Sequence, residues 1–213
     1  MIENTLSTRK AQRFYDLIGK RYDWFEFYES RAKDRALELL DLSPGIKVLN
    51  VGVGTGKQQV QIQDSIEPDG IAFGLDISPV MLALAKSRCS SPFCRADAHQ
   101  LPFAPASFDR LYAAYVLDLI PLGEIPAILQ QFNRVLRPGG RVVLLALTEG
   151  VDFSSRAVVG AWKLAYAVSP VICGGCRPLA LTDLVLEAGF SHISRQVVVQ
   201  IAVPSEIIAA AKI

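Results

Sequence analysis

The sequence predicts an α/β protein in which helices cover both faces of a mainly parallel β-sheet. Three observations support this fold class. Predicted strands and helices alternate along residues 47–147, an apolar run ends abruptly in the glycines Gly52, Gly54 and Gly56, and a later apolar run ends in Asp76. Alternating strands and helices form parallel sheets, because each helix carries the chain back to the edge where the next strand begins.

The chain before residue 150 divides into short elements joined by turns. The region from Leu6 to about Leu40 is predicted to be helical. Pro79 begins a later helix that runs through Lys86, and Ser78 is a suitable N-cap for it. The remaining predicted elements are, in chain order, strand Lys47–Val51, a helix from Lys57 to about Ser65, strand Ile71–Asp76, a short strand near Ser91–Ala96, strand Phe108–Ala114, helix Ile125–Leu136, a turn over Arg137–Gly140 and strand Arg141–Leu147.

The last third of the chain has a less regular pattern. Val151–Gly175 interrupts the alternation and is predicted to be a mostly helical insert. A helix over Thr182–Ala188 and a strand over Ser191–Ala202 follow. Alanines in Glu206–Lys212 favour a helix, whereas the short length of this segment favours a strand. We predict a strand, because Pro204-Ser205 has the composition of a hairpin connection.

Length and composition limit the classes of function. The chain has 213 residues, of which 51% are hydrophobic, so we expect one domain with a sizeable core. With 22 basic and 21 acidic residues, the net charge of +1 argues against a nucleic-acid surface. The sequence shows no signal peptide and no run that could span a bilayer. Its four cysteines are expected to be reduced thiols, which predicts a cytoplasmic location.

The three glycines and Asp76 predict a unit that binds a nucleoside. Glycine allows the sharp turn from strand to helix and lets the backbone approach a ligand closely. Asp76 comes about 20 residues after the glycines, where an acid can accept hydrogen bonds from both ribose hydroxyls. A dinucleotide fingerprint places its last glycine three residues after the second. Here the last glycine comes two residues after the second, which favours a ligand without a pyrophosphate.

The segment Asn50–Gly56 resembles the first motif of the class I S-adenosylmethionine-dependent methyltransferases. Further stretches resemble later motifs of this family, in the family's order and over roughly residues 45–150. These stretches are Gly74–Leu82, Ala96–Phe103, Ser107–Leu111 followed by Tyr115-Val116-Leu117, and Arg134–Arg141. Within the family the chain looks most like the ubiquinone/menaquinone C-methyltransferases and the bacterial phosphatidylethanolamine N-methyltransferases.

The resemblance implies a Rossmann-like, doubly wound sheet of seven strands in the order 3-2-1-4-5-7-6, with the last strand antiparallel. It also implies one methyltransferase domain over residues 1–213. Within that domain we expect a helical N-terminal lid (1–42), a cofactor-binding core (43–150), a helical insert or cap (151–178), and a C-terminal helix with a strand hairpin (179–213).

The resemblance further implies S-adenosylmethionine as the cofactor. The glycines would lie under its methionyl part, Asp76 would bind its ribose, and Asp97 and the Ala98 amide would bind its adenine. Tyr115 would face the amino-acid part or the methyl acceptor, and Tyr15 or Tyr22 would close over the site. The full set implied to bind the cofactor is Tyr15, Tyr22, Asn50, Gly52, Gly54, Gly56, Asp76, Ile77, Met81, Asp97, Ala98 and Tyr115.

Asn50 departs from the family pattern, which usually has Asp or Glu at this position. An acid there helps to hold the cationic amino group of the cofactor. Asparagine keeps an acceptor oxygen but carries no charge. We therefore expect either a lower affinity for the cofactor or another carboxylate that takes over this role.

Methyl transfer needs no fixed catalytic triad, because the cofactor carries the activated group and the protein aligns the reactants. A general base is needed only if the acceptor must lose a proton. The candidates for a catalytic role are Tyr115, Asp118 and His99. His99 also fits a surface loop histidine, and Asp118 also fits a helix-capping acid.

The pair Cys173 and Cys176 suggests a metal or redox site, and a thiophilic acceptor such as trivalent arsenic is a minor alternative. Zinc sites usually need more ligands than this pair supplies, so we expect buried thiols in a flexible loop and no metal site.

The acceptor is predicted to be a small or lipid-like molecule that is methylated at O, N or C. The apolar insert can either pack on the domain or line an acceptor pocket. Basic residues give the N-terminal helix a face that suits solvent or anionic lipid headgroups, so peripheral membrane contact stays open. These residues are Arg9, Lys10, Arg13, Lys20 and Arg21.

Two other classes of function remain open at this stage. One is a nicotinamide-dependent oxidoreductase, which the glycine spacing and Asp97 disfavour. The other is a non-catalytic cofactor-binding protein, which Asn50 allows. We expect no nucleic-acid partner, and the chain is expected to be a monomer or a homodimer.

Overall fold

The computed structural model describes residues 5–213. Its α-helices are α1 (Thr8–Ile18), α2 (Ser30–Leu40), α3 (Lys57–Ile66), α4 (Pro79–Lys86), α5 (Ile125–Val135), α6 (Phe153–Val168) and α7 (Thr182–Glu187). Its strands are β1 (Lys47–Val51), β2 (Ile71–Asp76), β3 (Phe93–Arg95), β4 (Phe108–Ala114), β5 (Leu136–Leu147), β6 (Phe190–Gln200) and β7 (Val203–Lys212). Short 3₁₀ helices cover Gly19–Tyr28, Leu117–Leu119, Leu122–Glu124 and Pro170–Cys173.

The strands of residues 5–213 form one seven-stranded sheet in the order β3-β2-β1-β4-β5-β7-β6. Neighbouring strands from β3 to β5 are parallel, whereas β7 runs antiparallel to both β5 and β6. This confirms the predicted fold class, strand order and antiparallel last strand. The carboxyl ends of β1, β2 and β4 meet at one edge of the sheet. Ligands of open α/β sheets usually bind at such an edge, where the strand order reverses.

The core lies on both faces of the sheet. Leu49 and Leu111 pack with Phe132 of α5 on one face, and Val48 packs with Ala36 of α2 on the other. All five side chains are fully buried. Burial of successive residues such as Val48 and Leu49 is typical of a strand that has helices on both sides.

The helices α3 and α4, which follow β1 and β2, each begin at a residue whose role can be explained. Ser78 caps α4, because its Oγ accepts a hydrogen bond from the Met81 amide at 3.0 Å, and Pro79 occupies the first turn. Gly56 precedes α3 with a φ of +87°, and a Cβ there would lie 2.7 Å from the Cα of Ala85. Only glycine therefore allows α3 and α4 to approach each other this closely.

The predicted turn over Arg137–Gly140 is wrong, because these residues belong to β5. In the pairing of β4 with β5, Phe108 lies opposite Leu136 and Arg110 lies opposite Arg141. The extra residues of β5 are accommodated as an irregularity in the ladder, and Gly139 adopts a φ of +75°. A bulge of this kind uses the same glycine and proline signals as a turn, which explains the error.

The predicted strand over Glu206–Lys212 is confirmed, but the predicted hairpin connection is wrong. Pro204-Ser205 lies within β7 and pairs with β6. The connection is instead Ile201-Ala202, whose φ angles are +50° and +60°. Two consecutive positive φ angles form the tight turn that matches the twist of a hairpin, although Asn-Gly or Asp-Gly is the usual signal for it.

The N-terminal region is helical as predicted, but α1 and α2 are separate helices joined by the 3₁₀ helix over Gly19–Tyr28. Side-chain hydrogen bonds join this region to the carboxyl edge of the sheet. The hydroxyl of Ser78 donates a hydrogen bond to Asp16, and the hydroxyl of Thr55 donates one to Asp23 at 2.7 Å. Residues 5–28, called the N-terminal segment below, therefore cover the loops that follow β1 and β2.

The insert between β5 and α7 is mostly helical, as predicted, and consists of α6 and the 3₁₀ helix over Pro170–Cys173. A capping box begins α6: the Asp152 carboxylate accepts a hydrogen bond from the Ser155 amide at 2.8 Å, and the Ser155 hydroxyl accepts one from the Asp152 amide at 3.0 Å. Within residues 5–213, none of the helices combines the length and the apolar composition that crossing a membrane requires.

Candidate functional site

A cavity lies between the carboxyl edge of the sheet and the N-terminal segment. Its empty space amounts to about 1090 Å³ when the open solvent at its mouth is included. Its walls come from the loops after β1, β2 and β3, from the end of β4, from α1, α2 and α4, and from the 3₁₀ helix over Gly19–Tyr28. The walls therefore combine every segment that carries a predicted cofactor residue.

The predicted cofactor residues lie together in this cavity, with one exception. The residues that line it are Tyr15, Tyr22, Asn50, Gly52, Gly54, Asp76, Ile77, Met81, Asp97, Ala98 and Tyr115. Gly56 is not among the lining residues, since its Cα faces Ala85 of α4. In the structure Gly56 thus allows α3 to pack against α4, and it does not contact the cavity itself.

Gly52 and Gly54 form an open cradle after β1. Gly52 has a φ of +71°, and a Cβ at this position would lie 2.2 Å from Cγ2 of Val116. Gly54 has a φ of +55°, and the nearest atom to a Cβ there would be the Gly52 carbonyl oxygen at 4.0 Å. Both positions favour glycine through their backbone angles, and at Gly52 the close approach of Val116 excludes a side chain as well.

Asp76 joins the loops after β1 and β2. Its Oδ2 accepts a hydrogen bond from the Gly54 amide at 2.9 Å, and its Oδ1 accepts one from the Ser78 amide at 2.9 Å. Burial raises the pKa of Asp76, while these amides oppose the shift. Each carboxylate oxygen has a further lone pair, so Asp76 can still accept hydrogen bonds from vicinal hydroxyls in the cavity.

The orientation of the Asn50 amide follows from two hydrogen bonds behind it. Gln59 Nε2 donates to the Ala72 carbonyl at 2.9 Å, which leaves Gln59 Oε1 as an acceptor. Asn50 Nδ2 donates to that oxygen at 3.0 Å. Asn50 Oδ1 is therefore left as the group that can accept a hydrogen bond from a ligand in the cavity, without the negative charge of an acid.

Lys33 is a cavity residue that the sequence reasoning missed. It is 3% exposed, and its Nζ lies 2.8 Å from Glu29 Oε2 and 3.2 Å from Glu26 Oε1. The same Nζ lies 5.4 Å from the ring centroid of Tyr22 and 5.7 Å from that of Tyr115. The sequence feature that could have pointed to Lys33 is its position on the buried stripe of an amphipathic helix. Lysine is almost never fully buried without a partner, so a lysine at such a position indicates a specific role.

Two tyrosines of the β4 region differ in their hydrogen bonding. The Tyr115 hydroxyl lies 2.7 Å from the Ser205 hydroxyl, and its backbone has a φ of +54°. The Tyr112 hydroxyl is buried and has no hydrogen-bond partner within residues 5–213. Burial raises the pKa of both phenols, so both are neutral donors at physiological pH.

Asp118 is fully buried and does not line the cavity. Its Oδ2 accepts a long hydrogen bond from the Leu147 amide at 3.4 Å, and its Oδ1 has no partner within the described residues. Burial raises the pKa of Asp118 to about 7. The buried Arg177 guanidinium donates a hydrogen bond to the Asp118 carbonyl at 2.9 Å. These contacts place Asp118 behind the cavity wall.

His99 lies outside the cavity lining, between two carboxylates. Its Nδ1 is 2.6 Å from Asp97 Oδ1, and its Nε2 is 2.8 Å from Glu124 Oε2. Desolvation lowers the pKa of His99, but the two carboxylates outweigh it and raise the pKa above its usual value. His99 therefore holds one oxygen of Asp97 in place and leaves the other free to face the cavity.

The raised pKa of His99 predicts a pH-dependent contribution to stability. The folded protein binds the proton more tightly than the unfolded chain, so this contribution is complete below the unfolded pKa of about 6.5 and is lost as pH rises through the folded pKa. In urea unfolding from pH 5.5 to 8.5, the difference in unfolding free energy between wild type and His99→Gln should shrink with increasing pH. Asp118 is present in both proteins, so this difference isolates His99. A constant difference would contradict the ion-pair geometry.

Cys173 ends the 3₁₀ helix over Pro170–Cys173, and Cys176 follows in a loop that contacts the N-terminal segment; both residues are half-buried, where the sequence predicted buried thiols. Cys176 Sγ is 3.8 Å from the Tyr15 hydroxyl, and Thr5 Oγ1 donates a hydrogen bond to the Gly175 carbonyl at 2.9 Å. Burial raises the pKa of the Cys176 thiol. Among residues 5–213, no group of three or more His, Cys, Asp or Glu side chains is arranged to hold a metal ion.

Several known proteins with a similar sequence or fold carry methyltransferase names, whereas one solved structure of similar fold is described as a [4+2]-cyclase. Residues 48–140 match the family model described as a methyltransferase domain. The chain is 30% identical over 159 residues to a demethylmenaquinone methyltransferase of Staphylococcus aureus (strain JH9), and this match covers 70% of the chain. The chain spans about 65% of the length of that relative.

Two solved structures show the likeness of fold. A Thermotoga maritima structure, described as an S-adenosylmethionine-dependent methyltransferase and possible histamine N-methyltransferase, has a TM-score of 0.72 at 18% identity, covering 95% of this chain and 100% of that one. The Haemonchus contortus phosphoethanolamine N-methyltransferase 2 in complex with S-adenosyl-L-methionine has a TM-score of 0.65 at 18% identity, covering 85% of this chain and 52% of that one.

Proposed function

We propose that this chain transfers a methyl group from S-adenosylmethionine to a small or lipid-like acceptor. The premise is that the chain belongs to the class I S-adenosylmethionine-dependent methyltransferases. The observation that carries this proposal is the cavity at the carboxyl edge of the sheet, which brings the glycine loop, Asp76 and Asp97 together. A nucleoside with an amino-acid tail needs this combination of an open backbone, a ribose acceptor and an adenine acceptor.

The residues present fit such a cofactor. At Gly54 the nearest atom to a Cβ would be 4.0 Å away, so the absence of a side chain leaves space for a ligand, whereas at Gly52 Val116 occupies the place of a Cβ. Asp76 keeps lone pairs for the ribose hydroxyls, and Asp97 keeps one oxygen for the exocyclic amine of adenine while His99 holds the other. Tyr15 and Tyr22 line the cavity from the N-terminal segment, where they would help to exclude water from the site. When bound, the cofactor supplies a methyl group activated on a sulfonium sulfur.

The cavity beyond the cofactor residues is mainly apolar. Ala114, Val116, Leu119 and Ile120 line it near the end of β4, and Ala11 lines it from α1. These side chains would orient an apolar acceptor against the methyl group, and orientation is the protein's main contribution to such a transfer. They support an apolar or lipid-like acceptor, as does the Staphylococcus aureus relative that is named a demethylmenaquinone methyltransferase.

The protonation chemistry of the site favours acceptors that are already nucleophilic. Asp118 and His99 do not line the cavity, and the Tyr115 hydroxyl is engaged with Ser205. Tyr115 would thus contribute its ring to the wall while its hydroxyl holds the end of β4 against β7. We infer an acceptor that loses its proton to solvent, or that has no proton to lose at the attacked O, N or C atom.

Production of S-adenosylhomocysteine tests the proposed function. Purified protein and S-adenosylmethionine would be incubated with a quinol carrying a short isoprenoid chain, with histamine or with phosphoethanolamine. Turnover with any of these acceptors would support methyl transfer, and turnover with the quinol alone would support an apolar, lipid-like acceptor. Binding of S-adenosylhomocysteine without turnover on any acceptor would favour a non-catalytic cofactor-binding protein. Binding of NADH instead would favour the oxidoreductase alternative.

We also propose that the N-terminal segment touches an anionic membrane surface. Leu17 and Trp24 are 83% and 76% exposed, and Arg13, Lys20 and Arg21 are exposed on the same segment. Apolar side chains with neighbouring basic residues bind interfaces through burial and through attraction to anionic lipids. Because α1 also lines the cavity, this contact would bring a lipid-like acceptor to the mouth of the site.

Vesicle co-sedimentation tests the membrane contact. Wild type should bind vesicles that contain anionic lipid, and binding should weaken as salt is added, since salt screens surface charges. The variant Leu17→Ser/Trp24→Ser should lose most of this binding. Leu186→Ser is the matched control, because Leu186 is 61% exposed on α7, outside the N-terminal segment. Equal binding by the two variants would contradict the proposed contact.

A further inference from the structure

We propose that Lys33 and Tyr112 form a subsite for the carboxylate of the cofactor's amino-acid tail, and that Asn50 Oδ1 accepts hydrogen bonds from the neighbouring ammonium group. This proposal rests on the proposed function, and it explains how the site tolerates asparagine at the position where related enzymes usually have an acid.

The order of the strands places this subsite at the correct end of the cavity. Asp97 follows β3, Asp76 ends β2, and the glycine loop follows β1. A nucleoside with its base at Asp97 and its ribose at Asp76 must direct its tail past β1 towards β4, because the sheet order is β3-β2-β1-β4. Tyr112 of β4 is the in-register neighbour of Asn50 of β1, and both line the cavity.

Lys33 can offer one more hydrogen bond to a ligand. Its ammonium group has three N–H donors, and Glu29 and Glu26 each lie within ion-pair distance of Nζ. Lys33 itself lines the cavity. A carboxylate in the cavity is the ligand group best suited to the remaining donor, because a hydrogen bond between two charged partners is about twice as strong as a neutral one.

The Tyr112 hydroxyl is the second, independent observation. It is attached to a side chain that is 1% exposed, and it has no partner within residues 5–213. A buried donor without a partner is costly, and most such groups in folded proteins are satisfied by protein, water or ligand. A carboxylate oxygen held by Lys33 would accept from this hydroxyl.

The charge of the surrounding cluster favours a zwitterion over a simple anion. Glu26 also pairs with Lys57, so two lysines balance two glutamates, Glu26 and Glu29. An amino-acid tail adds one carboxylate and one ammonium, and therefore leaves the net charge of this buried region unchanged. The glutamates do not line the cavity, so they compensate Lys33 and do not replace the missing acid at Asn50.

Calorimetry on the full chain tests this subsite with three ligands: S-adenosylhomocysteine, its decarboxylated analogue, and 5′-deoxy-5′-methylthioadenosine, which lacks the amino-acid tail. Wild type should bind S-adenosylhomocysteine about tenfold or more tightly than the decarboxylated analogue. Tyr112→Phe should weaken S-adenosylhomocysteine binding by about tenfold and change methylthioadenosine binding by less than about twofold. Lys33→Met should show the same selectivity with a larger loss.

Lys86→Met is the matched control, because Lys86 is exposed on α4, and it should change none of these affinities. If Lys33→Met fails to fold, Tyr112→Phe still decides the proposal, since it removes a single hydroxyl. Equal losses for S-adenosylhomocysteine and methylthioadenosine would overturn the subsite while leaving the cofactor assignment intact. Failure of wild type to bind either ligand would overturn both the subsite and the proposed function.

Discussion

Replacing Asp76 by alanine should weaken binding of S-adenosylhomocysteine by about 1–3 kcal/mol, which is roughly 5- to 150-fold in affinity. The carboxylate of Asp76 is the acceptor placed for the ribose hydroxyls, and it also accepts from the amides of Gly54 and Ser78. Alanine leaves all of these donors without their partner. Calorimetry measures the loss of affinity, and urea unfolding measures the separate loss of stability.

Two comparisons separate the ribose contact from the structural role of Asp76. A 2′,3′-dideoxy analogue lacks both hydroxyls, so wild type and Asp76→Ala should bind it with nearly equal affinity. Asp64→Ala, an exposed aspartate on α3, should leave the affinity for S-adenosylhomocysteine unchanged. A variant at Asp76 that binds S-adenosylhomocysteine as tightly as wild type would show that the ribose lies elsewhere.

Replacing Gly52 by alanine should destabilise the fold and distort the cofactor loop. The φ of +71° costs an alanine about 1–2 kcal/mol, and its Cβ would lie 2.2 Å from Cγ2 of Val116, so the loop or Val116 must also shift. Gly54→Ala is the matched control for stability, because it has the same kind of backbone angle with open space around a Cβ. Gly52→Ala should therefore lower the unfolding free energy more than Gly54→Ala does.

The double variant Gly52→Ala/Val116→Ala tests the cause of this effect. Removing Cγ2 of Val116 leaves Val116 Cβ at 3.6 Å from the new side chain, which is ordinary contact. The double variant should recover the part of the loss that the clash causes and keep the backbone cost. The proper measure is a double-mutant cycle of unfolding free energies with Val116→Ala as the other single variant. A purely additive cycle would show that the contact with Val116 has no role.

The sequence predicted the sheet because its signals are local and repeat. Apolar runs that end in glycine or acid mark the carboxyl ends of β1 and β2, and the same residues then meet at the cavity. The error at Arg137–Gly140 has a physical cause: proline and glycine mark a bulge and a turn alike, and only the partner strand decides between them. The Ile201-Ala202 turn was missed because neither residue favours a positive φ.

The part of the site that the sequence did not predict depends on distant contacts. Lys33 lies on a helix that no motif covers, and its place in the cavity follows from how α2 packs against β4. Two further features can be recognised only from three-dimensional neighbours: the Tyr112 hydroxyl, which has no partner among the described residues 5–213, and the orientation of Asn50 by Gln59. Sequence reasoning locates the loops that hold a nucleoside, but the groups that would hold its tail come from elements brought together by folding.

The N-terminal segment has a kinetic consequence. Tyr15 and Tyr22 line the cavity, and the same segment is anchored to Ser78, Thr55 and Gly175 by hydrogen bonds. Detachment of part of this roof would widen the mouth of the cavity, so we expect ligand exchange to be coupled to a local opening of α1. Motions of this kind limit turnover in many enzymes, where release of the spent product is slower than the chemical step.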